Sequence, residues 1–252
     1  MKKFFILAAG LLCFACQTPI EPPADFKYTP LRTVYFNLAS WQKNGNDFSP
    51  VKIYIEGDGM AFNSRGRVSS DPTPHGNMVR TIAFGDNSAN VAYLARPCQY
   101  IRNRNCNKKY WSNARFAPEV VSSEAQAVKQ IARGRDVILV GYSGGAQIAG
   151  LIAVRHPEIK VKKIISIAGN LDHKNWMLYH HLPQLDLSLN LADYKENFNL
   201  LNQTHYVGEK DHNIPPKLTY QMVQDPLTVR EVKGASHSSG WESIYPLIRA
   251  ER

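Results

Sequence analysis

Apolar residues gather along the chain in short runs, and each run gives way to a polar or helix-like stretch. Runs at 32–38 (RTVYFNL), 51–57 (VKIYIEG), 90–97 (NVAYLARP), 136–141 (DVILVG), 161–169 (VKKIISIAG), 204–208 (THYVG) and 227–233 (LTVREVK) are rich in β-branched and aromatic residues. Several are almost continuously apolar, the pattern of strands covered on both faces. Between them, residues 122–134 set Ala125, Val128 and Ala132 on one helical face, with serines to cap the start and Gly134 to close the end. A second helix is predicted from 144 up to Pro157, and a third opens with Pro215 and Pro216. Strands alternating with helices predict an α/β fold with a mostly parallel central sheet and helices on both faces. The chain has 252 residues, which suits one domain, and its 44% hydrophobic content is ordinary for a globular protein.

One junction carries chemistry. The apolar run VILV leads into Gly141-Tyr142-Ser143-Gly144-Gly145, and a helical pattern starts at once. Gly-x-Ser-x-Gly on a strand-to-helix turn presents the serine at the sheet edge as a nucleophile, with glycines leaving room for the adjoining backbone. An oxyanion formed there would face the free N–H groups of the helix N-terminus. Such a serine needs an acid and then a histidine further along the chain. His237, in VKGASHSSGW, follows the last predicted strand and is the expected base; His212 is its rival. Asp211, in YVGEKDHNIPP, is the expected acid, Asp172 in IAGNLDH the alternative, and Glu209 is less favoured. Glu56-Gly57-Asp58-Gly59 follows an early strand, so the amides of Asp58 (or Gly59) and Gly144 are the expected oxyanion donors. The eight histidines include no HExxH arrangement, and neither a metal nor another cofactor is implied.

At these residues the chain resembles the α/β-hydrolase superfamily, over roughly 32–252, through EGDG, GYSGG, GEKDHNIPP and GASH. It is also similar to a subgroup of exported bacterial α/β hydrolases through RPCQY, YWSNARFAPEVV, AGNLDH and SLN. The resemblance implies the α/β-hydrolase fold and serine-hydrolase chemistry. It departs from the superfamily at EGDG, which stands where His-Gly usually precedes the oxyanion residue. The expected activity is cleavage of an ester or related acyl bond in a small-molecule substrate, as in a short-chain carboxylesterase. A catalytically inert hydrolase-fold lipoprotein that binds an envelope component is the alternative. In this fold a lid is usually inserted after the strand that follows the nucleophile helix. The space available, 171–201, suits only a short cap, with Trp176, Met177, Leu178 and Leu182 as candidates for an apolar slot.

The N-terminus adds a destination. Lys2 and Lys3 precede an apolar run from Phe4 to Ala15, which reads as a signal peptide over 1–15. Its end, Cys13-Phe14-Ala15-Cys16, resembles a lipobox, so Cys16 is the expected acylation site; plain secretion is the alternative. Residues 16–31 then read as anchor and Pro-rich linker, and 32–252 as the hydrolase domain. The expected location is the bacterial envelope, on a membrane facing the periplasm or the exterior. Losing Lys2 and Lys3 lowers the net charge from +9 to +7. Export and the absence of any recognition-helix, zinc-finger or RNP-type pattern argue against a nucleic-acid partner, and RNRNCNKK at 102–109 reads as a solvated loop. In an oxidising compartment Cys98 and Cys106 are expected to form a local disulfide, a metal pair being the alternative.

Overall fold

Successive strand residues point into two different cores. Ile53 and Ile55, Val137 and Leu139, and Ala92 and Leu94 enter one apolar cluster, while Tyr54, Ile138, Val140, Val91 and Tyr93 enter the other. This two-residue alternation with both faces covered explains the continuous apolar runs. The computed structural model describes residues 20–251, so the expected signal segment 1–15 and Cys16 lie outside the described residues.

The strands, in chain order, are β1 (Lys27–Tyr28), β2 (Leu31–Arg32), β3 (Asn37–Leu38), β4 (Ser40–Asn44), β5 (Val51–Ile55), β6 (Asn90–Leu94), β7 (Val137–Tyr142), β8 (Val161–Ile167), β9 (Gln203–Gly208) and β10 (Val229–Val232). The α-helices are α1 (Met78–Phe84), α2 (Pro118–Ala132), α3 (Gly144–Arg155), α4 (His173–Tyr179), α5 (Lys195–Asn199), α6 (Pro216–Met222) and α7 (Tyr245–Ala250). Eight strands form one sheet in the order β1-β4-β6-β5-β7-β8-β9-β10. From β6 to β10 every pairing is parallel, and β4 and β1 add an antiparallel edge. Helices α2 and α3 share the first core, and α1 and α7 the second, so the sheet is covered on both sides. The structure is thus the predicted mostly parallel α/β sheet.

Three local departures have physical causes. The run 32–38 is not one strand: the Thr33 N–H donates to the Phe36 carbonyl (3.0 Å), and the turn splits it into the hairpin of β2 and β3. Residues of the expected linker also join the fold: β1 pairs with β4, and Phe26 is buried against Phe84. Helix α2 starts at Pro118 in its first turn, four residues before the serines expected to cap it. Arg133 caps its other end in the left-handed region (φ 50°), with Gly134 (φ 83°) beyond it.

Candidate active site

The β7–α3 turn has almost no spare volume. A Cβ on Gly141 would lie 2.5 Å from the Ala146 backbone in α3, and one on Gly145 would lie 2.4 Å from the Ile55 carbonyl of β5. Glycine is what lets strand, turn and helix approach so closely. Ser143 pivots between them at φ 51°, ψ −120°, a conformation costly for a residue with a side chain. Its backbone is held on both sides, the N–H donating to the Ile167 carbonyl and the carbonyl accepting from the Asn170 N–H, both at 3.0 Å.

Loops after β9 and β10 bring two further side chains to it. The His237 Nε2 lies 3.1 Å from the Ser143 Oγ, and its Nδ1 lies 2.9 Å from the Asp211 Oδ2. Asp211 is buried, and its other oxygen accepts from the Asn213 and Ile214 N–H groups at 2.9 and 2.8 Å. A buried carboxylate with three donors is fixed in place. Its free oxygen accepts a hydrogen bond from His237 Nδ1–H, which leaves Nε2 to accept from the Ser143 hydroxyl. The two loops are stitched together by Lys210 N–H to the Ala235 carbonyl (2.8 Å), and Tyr142 O–H donates to the His237 carbonyl (3.0 Å).

Asp172 is not in this cluster. It caps α4, its Oδ1 accepting from the Asn175 N–H (3.1 Å) and from Asn190 Nδ2 (2.7 Å). Of the other candidates, Glu209 accepts from the Gly234 N–H at 2.7 Å and His212 is exposed.

The loop after β5 lies directly over the nucleophile turn. A Cβ on Gly144 would stand 2.2 Å from the Asp58 Oδ1. Gly144 opens α3, and its N–H belongs to the first turn, where no intrahelical acceptor exists. The Asp58 side chain has partners that the sequence reading missed: Arg115 Nη1 at 2.7 Å and Arg96 Nη1 at 3.3 Å. Burial works to raise the Asp58 carboxyl, and the two guanidinium charges overcome it, leaving it below its ordinary 3.8. Glu56 at the base of the loop is also buried; loss of solvation raises its carboxyl above the ordinary 4.5, against hydrogen bonds from the Gly57 N–H and Tyr93.

Ser143 and His237 open into a groove of about 800 Å³. Much of its wall comes from 58–81, including Met60, Phe62, His75 and Met78, which the sequence reading had not considered. Of the four candidates for an apolar slot, only Trp176 lines it. Met177 is in the core, and Leu178 and Leu182 are exposed. In the loop after β6, Cys98 and Cys106 are joined by a disulfide.

A mostly parallel sheet flanked by helices, with a strained serine at the C-terminal end of a central strand, defines the α/β-hydrolase fold. Solved structures agree. The chain is similar to the serine hydrolase CCSP0084 from the polyaromatic hydrocarbon-degrading bacterium Cycloclasticus zankles (12% identity, TM-score 0.59, covering 89% of this chain and 96% of that one). It is similar to Est1E from Butyrivibrio proteoclasticus (12% identity, TM-score 0.57, 88% and 94% covered). It is also similar to XC6422 from Xanthomonas campestris, described as a serine hydrolase without a lid (14% identity, TM-score 0.51, 92% and 93% covered). No protein-family model and no curated protein matches the chain.

Proposed function

We propose that the protein is a serine hydrolase that cleaves an ester or related acyl bond in a small molecule through an acyl-enzyme. The observation that carries this reading is the unbroken chain Asp211–His237–Ser143, at 2.9 and 3.1 Å, ending on a serine held at positive φ. Ser143 Oγ attacks the carbonyl carbon while His237 Nε2 takes its proton, and Asp211 stabilises the imidazolium. The negative oxygen that forms is received by the Asp58 and Gly144 N–H groups. The leaving group departs with the proton from His237. Water, deprotonated by the same nitrogen, then releases the acid and restores Ser143. The named activity of one similar structure, the serine hydrolase CCSP0084, is in keeping with this chemistry.

The same reading includes export and a lipid anchor at Cys16. It rests on the basic-then-apolar N-terminus and on the Cys98–Cys106 disulfide, a bond that persists in oxidising compartments.

The test is a fluorophosphonate probe on purified protein. Wild type is expected to be labelled, Ser143→Ala to be silent and His237→Ala to lose most labelling. A folded wild type that resists the probe and hydrolyses no p-nitrophenyl ester would leave the inert binding protein as the better reading.

A further inference from the structure

The Gly57 carbonyl and the Asp58 N–H are opposite ends of one planar peptide, so whatever holds the oxygen also aims the hydrogen. What holds the oxygen is a side chain. Gln99 Nε2 donates to the Gly57 carbonyl at 3.0 Å, and Gln99 Oε1 accepts from the Arg96 N–H at 3.0 Å. These partners fix the amide orientation, because the reverse would set oxygen against oxygen and N–H against N–H. Gln99 is only 1% exposed.

We infer that Gln99 is a positioning residue for the acyl-transfer reaction, clamping the Gly57–Asp58 peptide so that the Asp58 N–H faces the developing oxyanion. The inference rests on the serine-hydrolase reading and specifies how its oxyanion site is built. The neighbouring peptides are pinned as well. Glu56 Oε1 accepts from the Gly57 N–H at 2.9 Å. Gly59, at φ 61°, passes so close to this clamp that a Cβ would lie 2.1 Å from the Pro72 carbonyl and 2.7 Å from Gln99 Nε2. Gln99 itself stands between two residues at positive φ, Cys98 (70°) and Tyr100 (61°), beside the disulfide. Such conformations persist only where the surroundings over-determine them. Donation to a peptide oxygen also polarises the peptide and strengthens its N–H as a donor. Preorganised donors of this kind are worth most when they need not reorient during the reaction.

Two substitutions separate aim from architecture. Gln99→Met keeps the length and removes the donor, whereas Gln99→Glu keeps the acceptor for the Arg96 N–H and turns a carboxylate toward the Gly57 carbonyl. With p-nitrophenyl butyrate, each is expected to lower kcat by about 10-fold or more, short of the roughly 10²–10³ for deleting an oxyanion donor outright. KM should stay within about twofold, the signature of an interaction made in the transition state. Affinity for a boronic acid, which forms a tetrahedral adduct on serine, should fall in parallel with kcat. If Gln99→Met does not fold by circular dichroism, Gln99→Glu decides. A folded variant with unchanged kcat and boronate affinity, or with only KM raised, overturns the clamp and leaves the hydrolase reading standing. Wild type without Ser143-dependent hydrolysis removes that reading and the clamp together.

Discussion

The two candidate aspartates differ at the level of single hydrogen bonds. Asp211 has one oxygen on two backbone N–H groups and the other on His237 Nδ1. In Asp211→Asn the amide oxygen would stay on the Asn213 and Ile214 N–H groups, leaving its NH₂ to face the imidazole. His237 Nδ1 would then have to accept, the proton would move to Nε2, and the base would be in the wrong tautomer. Turnover should fall by about 10⁴-fold with little change in KM. Asp172 caps α4, and asparagine caps nearly as well, so Asp172→Asn should keep turnover within a few-fold and cost well under about 1 kcal/mol of stability. Steady-state kinetics and melting curves on both variants check this. An active Asp211→Asn beside a dead, folded Asp172→Asn would reverse the assignment.

Elements differ in how much of them could be read in advance. The β7–Ser143–α3 junction was legible because its glycines fall together in five residues between an apolar run and a helical pattern. Only Gly141 meets a local neighbour, a Cβ there lying 2.5 Å from Ala146, while Gly145 makes room for Ile55 of β5. His237 was legible because it follows the last strand. By contrast, β4 reads SWQKN, with one large apolar residue, and owes its strand conformation to pairing with β6 and β1. Helix α1 is only seven residues, MVRTIAF, too short for its period to declare it. The Asp58 ion pairs were illegible for another reason: the partner arginines lie 38 and 57 positions away, and charge alone does not say which partners meet. Helix α2 hides a similar case. Glu124 is fully buried, facing Arg96 Nε at 3.3 Å. Loss of solvation raises its carboxyl from the ordinary 4.5 to about 8, against the pull of Arg96. Between those two values the folded chain holds a proton that the unfolded chain has released. Stability from this group is therefore full below the unfolded value and is lost as pH rises through about 8. Glu124→Gln mimics the protonated form. Its melting temperature is expected to gain on wild type as pH is raised from about 4 to about 9, on either side of that window. Parallel pH profiles for the two proteins would show that Glu124 is ionised when folded.

At the scale of the molecule, the parallel sheet gathers the site at one edge. Ser143, Asp211, His237 and the Asp58 loop all follow the C-terminal ends of parallel strands, where an open α/β sheet leaves its crevice. What closes over that crevice decides the substrate. The segment 171–201 was expected to supply a short cap, and it does little more than place Trp176 on the groove, since Met177 packs inward and Leu178 and Leu182 face solvent. The groove itself, about 800 Å³, is not small; its chemistry, more than its size, limits an acyl chain. Met60, Phe62 and Trp176 share its wall with His75, Arg115 and Glu242. In a wholly apolar slot each methylene would contribute about 0.8 kcal/mol, roughly fourfold in kcat/KM. A mixed wall gives less, and a long chain would have to desolvate charged groups that it cannot bond. Across p-nitrophenyl acetate, butyrate, octanoate and palmitate, kcat/KM is therefore expected to rise by less than about fourfold per methylene up to butyrate, and to be lower for palmitate than for butyrate. With so little cover to displace, no jump in rate is expected above the micellar concentration. A steady climb to palmitate, or a clear interfacial jump, would mean that the exposed leucines of 171–201 move onto the groove and that the protein acts on lipid surfaces.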